Sequence, residues 1–184
     1  MNAMKLLIIA LSLTVLGAGC STASDTASSM PNLSAKRQGL LALTSPAFPH
    51  LGTLPTKYSC NGEGVNPPLD IADVPQDAAT LALIMSDPDA PRGTFIHWVL
   101  FNMPMNTSHI EERTSPEGLI GTNGAGSQGY VPACPPSGTH HYIFDLYALD
   151  TTLNLTSSAT ASQVEEAIQG HILEKTQLIA TYGK

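Results

Sequence analysis

The sequence predicts a mainly β domain, an antiparallel sandwich trimmed by one late amphipathic helix. Three observations carry that expectation. Pro and Gly number 14 and 15 in 184 residues and punctuate extended runs, as turn-joined strands require. The run Phe95–Met103 is apolar on both alternating faces, which suits a strand buried between two layers. Only one segment, near the C-terminus, has a helical period.

Taken in order, Leu41–Phe48 reads as a first strand and Ala79–Ser86 as a short apolar one. Phe95–Met103 follows, with Phe95, His97, Val99 and Phe101 expected on one face and Trp98 on the other. His140–Leu149 is aromatic and β-branched, with His140, Tyr142, Phe144 and Leu146 sharing a face and His141 opposite. In the helical segment Ser162 is the expected cap, with Glu165 completing a capping box. Val164, Ala167, Ile168, His171 and Ile172 then form its apolar stripe, and Gly170 weakens the helix without breaking it. Gln177–Tyr182 reads as a short final strand. Periodicity alone leaves sandwich and barrel equally open.

The first 19 residues read as a signal peptide. Lys5 is its positive flank, and Leu6–Leu16 is an apolar run too short to span a bilayer, which takes about 20 residues. Leu16-Gly17-Ala18-Gly19-Cys20 looks like a bacterial lipobox, making Cys20 the lipidated residue of an exported, membrane-anchored protein. Cleavage after Ala23 to give a soluble periplasmic or secreted form is the alternative. Residues 20–38, rich in Ser, Thr and Ala, read as a flexible tether. Residues 39–184 are left for one domain, long enough for a single good core. With Cys20 assigned, Cys60 and Cys134 remain, and in an oxidising compartment they are expected to pair. Two unpaired thiols are the other reading.

The formal charge of −7 excludes the basic footprint of a nucleic-acid binder. It also gives no attraction to anionic membranes, so membrane contact rests on the lipid anchor alone. Two blocks carry the functional chemistry. Ser86-Asp87-Pro88-Asp89-Ala90-Pro91 leads to His97-Trp98, and Cys134-Pro135-Pro136 leads to Gly138-Thr139-His140-His141-Tyr142. Imidazole N–H groups and a tyrosine hydroxyl can donate to phosphate oxygens, and a neighbouring carboxylate can orient an imidazole. If the strand ending at Ser86 lies beside that of His97, Asp87 reaches the same rim.

These blocks resemble the phosphatidylethanolamine-binding protein family, in its bacterial Raf-kinase-inhibitor-like branch. Cys60-Asn61-Gly62-Glu63-Gly64, Asn66-Pro67-Pro68-Leu69 and the closing Thr181-Tyr182-Gly183 extend the likeness over about residues 40–184. The resemblance implies a Greek-key β-sandwich with a pocket at one end for phosphate or phosphorylated head groups. Its lining, carried over by position, is Asp87, His97, His140 and Tyr142, with Pro88, Ala90 and Pro91 shaping the mouth. The chain departs from the family in carrying His141 where Arg is frequent, Pro132-Ala133 before the cysteine, and Ile71 in place of a Trp.

The function expected is therefore a non-catalytic binding or regulatory protein, holding a small anionic ligand and modulating a protein partner, with no cofactor. A protease inhibitor of the same family is the runner-up. A small hydrolase built on Cys134 or Ser137 is disfavoured, because Cys134 is expected in a disulfide and Ser137 lacks a nucleophile elbow. A metal site from Asp87, Asp89, His97 and His140 is disfavoured by the lack of ligand spacing.

Overall fold

The computed structural model describes residues 40–184. The expected signal peptide, Cys20 and the tether up to residue 38 lie outside the described residues. In chain order the elements are β1 (Ala42–Thr44), β2 (Gly52–Thr53), β3 (Leu69–Ala72), β4 (Thr80–Asp87) and β5 (Phe95–Pro104). Then come β6 (His109–Ile110), β7 (Leu119–Ile120), β8 (Thr139–Leu149), α1 (Ala161–Ala167) and β9 (Ile172–Gly183).

Two sheets form, in the orders β1-β3-β6 and β2-β9-β8-β4-β5-β7. The fold is thus mainly β and two-layered, as expected. Every pairing is antiparallel except that of β2 with β9, a parallel match of Gly52 and Thr53 to Ala180 and Thr181. The large sheet is apolar on both sides because both sides are covered. Leu83, Met85, Trp98, Leu100 and Phe144 pack toward the small sheet, against Leu43, Leu69, Ile71 and Ile110. Ala82, Ile84, Val99 and Phe101 pack on the reverse side, beneath Val164 and Ile168 of the helical segment. Each such side chain, once fully buried, contributes roughly 1.5–3 kcal/mol, so the double-sided burial of β4 and β5 makes them the centre of the domain.

Several local expectations give way to better-placed alternatives. The first strand stops at Thr44, where Pro46 and Pro49 cannot donate to a ladder. There the Ser45 hydroxyl donates to the Pro68 carbonyl and accepts from the Ala47 N–H. The helix is capped by Thr160 and Gln163, in a true capping box two residues earlier than the Ser162–Glu165 pair. It ends at Ala167, and Gly170 adopts φ +80°, the left-handed conformation that turns a chain out of a helix. Val164 and Ile168 keep their buried places. Ile172 instead opens β9, so the short final strand is in fact the longest, paired with β8 from Leu149↔Ile172 to Thr139↔Gly183.

A register shift in the β4–β5 ladder falls between Met85↔Trp98 and Ser86↔Ile96. The extra residue on β5 is His97, and a bulge of this kind re-aims the side chains around it. His97 therefore does not share a side with Val99 and Phe101. Its ring packs edge-on against Tyr142, at 5.2 Å between centroids, and Tyr142 belongs to the same apolar cluster as Trp98.

Candidate ligand-binding site

Antiparallel pairing sets the end of β4 beside the starts of β5 and β8. Asp87, Phe95 and His140 thus arrive at one end of the large sheet. A cavity of about 560 Å³ opens there. Asp87, Ala90, Pro91, His97 and His140 line it.

Asp87 and His140 are the core of its polar wall. His140 Nδ1–H donates to Asp87 Oδ2 at 2.7 Å, and the two side chains are 9% and 6% exposed. That bond fixes the tautomer of the neutral ring and directs Nε2 away from the carboxylate. The other oxygen, Asp87 Oδ1, accepts from the Asp89 N–H at 2.9 Å. Asp89 in turn accepts from both the backbone N–H and the Nδ1 of His141, each at 2.7 Å. These bonds to His141 hold the Asp89 carboxyl below the usual carboxylate range. His141, facing away from His140 on β8, thus serves as the anchor of the loop that shapes the cavity mouth.

His97 is held differently. Its Nδ1–H donates to the Val131 carbonyl at 2.8 Å, and the Val131 N–H donates back to the His97 carbonyl at 2.9 Å. Burial pushes the imidazole pKa down, against the smaller upward pull of the Val131 bond and of Asp87. Its Nε2 is buried with no partner among the described residues.

Two of the expected residues take other places. Tyr142 is fully buried behind the wall and does not line the cavity. Its ring instead backs His97, and its hydroxyl lies beside the Cys134 backbone without a well-formed hydrogen bond. Burial raises its pKa, so the phenol stays protonated. Pro88 also stands outside the lining, acting through the turn alone.

The sequence reading missed Arg92, Thr94, Phe95 and Gly124 in the lining, as well as Val131, Pro132 and Pro136. Arg92 is the most consequential. Lys57 pairs with Glu112, Arg113 with Glu63, and Lys175 with Asp145. Of the Lys and Arg side chains among the described residues, only Arg92 and Lys184 stand outside an ion pair. Arg92 directly follows the Asp-Pro-Asp-Ala-Pro block, which was the one signal that could have found it.

Cys60 and Cys134 form a disulfide with 5.3 Å between Cα atoms, and Cys134 is part of the cavity wall. The Cys60 N–H also donates to the Ala133 carbonyl at 3.0 Å. The wall segment 131–134 is therefore tied at one end to His97 and at the other to the Cys60 turn. No cluster of three or more His, Cys, Asp or Glu residues placed to hold a metal ion occurs among the described residues.

This architecture and the two blocks at its rim define a class, and comparison with known proteins agrees. The sequence model of the phosphatidylethanolamine-binding protein family matches residues 44–183, and the chain belongs to that family. Its relatives include a UPF0098 protein of Methanothermobacter thermautotrophicus. That protein is 44% identical over 146 residues, 76% of this chain and 97% of the relative. The solved structure of CT736 from Chlamydia trachomatis, described as a homologue of phosphatidylethanolamine-binding protein, superposes with a TM-score of 0.77 at 41% identity. It covers 79% of this chain and 98% of its own. A Mycobacterium tuberculosis relative named as a lipoprotein, LppC, is 38% identical over 145 residues, 77% of this chain and 72% of that one. Membership of the family supports a binding or regulatory role.

Proposed function

We propose that the protein is a non-catalytic binding or regulatory module whose cavity holds phosphate or a phosphorylated head group. The observation that carries this reading is the cavity itself. A buried Asp87–His140 pair stands on one wall, and Arg92, outside every ion pair among the described residues, lines the same space. A charge-assisted bond from Arg92 to an anion is shorter and stronger than a neutral one. A concave, largely apolar site with a few convergent polar groups is also the usual form of a small-ligand pocket. Cys134 is in a disulfide and offers no thiolate, and the lining contains no serine.

The test is an NMR titration of the imidazole signals with phosphate and phosphoethanolamine. Shifts confined to His97 and His140 at millimolar ligand are expected, and their absence refutes the reading. A protein partner would then be recognised through the occupied end of the sheet, as a consequence of ligand binding.

The same proposal extends to location. The mature chain starts at a lipidated Cys20 and is exported to a membrane face. Its likeness to LppC and its disulfide, a bond that persists in oxidising compartments, both support export. No described helix is long and apolar enough to cross a membrane. An intact mass for the cell-derived protein should equal the sequence from Cys20 plus acyl chains; an unmodified start beyond residue 20 overturns the anchor.

A further inference from the structure

The cavity's polar groups differ in kind, and the difference selects among anions. His97 spends its Nδ1–H on the Val131 carbonyl, so in the neutral ring Nε2 offers a bare lone pair. That nitrogen is buried with no partner among the described residues, and burial disfavours the protonated ring. The wall also carries the Asp87 carboxylate, its oxygens engaged by His140 and the Asp89 N–H. Against these acceptors stands a single permanent cation, Arg92. The titratable and charged groups around His97 are Asp87 of β4, His140 and Tyr142 of β8, and Arg92 of the β4–β5 loop.

We infer, resting on the anion-pocket reading above, that the site takes a phosphomonoester in its singly charged, still protonated form. The P–OH donates to His97 Nε2, while the charged oxygens face Arg92. Phe95, which lines the cavity and packs edge-on against His97 with 4.9 Å between centroids, gives way for the ligand to reach Nε2. A fully ionised oxyanion meets a buried acceptor it cannot satisfy, and a buried polar group left unpaired is costly. Sulfate has no proton to offer, and a phosphodiester has one charge but no donor. Free phosphomonoesters are therefore favoured over the diester phosphate of an intact lipid.

The test uses calorimetry on the wild-type chain at fixed ionic strength, with methyl phosphate, dimethyl phosphate and sulfate. Titrations run at about pH 5.5 and about pH 8, either side of the second phosphoester pKa of about 6. Methyl phosphate should bind roughly tenfold or more tightly at the lower pH, the ratio that about 1.4 kcal/mol makes. Sulfate and dimethyl phosphate should stay weak at both. A wall that needed only negative charge, and no ligand proton, would instead favour all three alike. Sulfate or dimethyl phosphate matching methyl phosphate at the lower pH therefore overturns this inference and leaves the anion pocket standing. No binding by any of the three overturns both.

Discussion

His97 sits where its own protonation is resisted. Burial lowers its folded pKa, while the unfolded chain titrates near the ordinary imidazole value of about 6.5. Below that pH the unfolded state binds a proton that the folded state refuses, so stability is full above about 6.5 and declines as pH falls toward the folded value. Urea unfolding between about pH 7 and pH 5 should show this decline, and His97→Gln should flatten it; an unchanged slope removes His97 as the cause. His109 acts in the opposite sense. Its bond to Asp70 raises its pKa, so its contribution is present below about 6.5 and fades as pH rises through the folded value. Its exposure to solvent keeps that effect small. A separate residue-scale constraint lies at Gly62, where an added Cβ would meet the Thr56 carbonyl and come within 2.7 Å of Lys57 Cα. Backbone cannot step aside as a side chain can, so Gly62→Ala should cost about 1–3 kcal/mol, read as a shift in denaturant midpoint without a change in slope.

At the scale of elements, the helix supplies a direct comparison. Thr160 accepts from the Gln163 N–H, while the Gln163 side chain accepts from the Thr160 N–H. Thr160→Ala should therefore destabilise by about 1 kcal/mol, whereas Ser162→Ala, inside the helix and exposed, should be neutral or stabilise by a few tenths, since Ala is the better helix former. Equal effects in thermal melts would return the cap to Ser162. Ser-x-x-Glu and Thr-x-x-Gln both satisfy the capping rule, and only the packing of Ala161 and Val164 chooses between them. The central strands β4, β5 and β8 were legible because their apolar runs are long and their flanks are Pro and Gly. β2, β6 and β7 have two residues each, too few for any period to emerge. The bulge at His97 left no compositional mark, yet it decides which side of the sheet that imidazole occupies. For the site, Asp87, His97 and His140 could be named from motif blocks. Arg92 was within reach, standing directly after the first block, but Val131 was not, since its role comes from what the loops bring near and not from spacing.

For the whole molecule, the Cys60–Cys134 bond spans 74 positions and joins the cavity wall to the turn before β3. Reduction should lower stability by roughly 2–4 kcal/mol on the chain-entropy account, and phosphate affinity should fall with it, since Cys134 lines the cavity. A Cys60→Ser, Cys134→Ser double variant that melts like the wild type would contradict the first point. Charge acts at the same scale. In a chain of net charge −7, an anion approaches against the overall field, and Arg92 is the local exception. Arg92→Gln should weaken phosphate binding several-fold at low salt while leaving the melting temperature unchanged, a split that titration and thermal scans would resolve.

The bulge on β5 has a practical corollary. It leaves Trp98, the chain's only tryptophan, adjacent to His97 and 1% exposed. The indole meets Tyr130 edge-on at 5.8 Å, and Tyr130 directly precedes the Val131 that grips the imidazole. Intrinsic fluorescence should thus be blue-shifted and come from one origin, so that a change in emission on adding a small molecule reports on the neighbourhood of His97 without a dye or an engineered label.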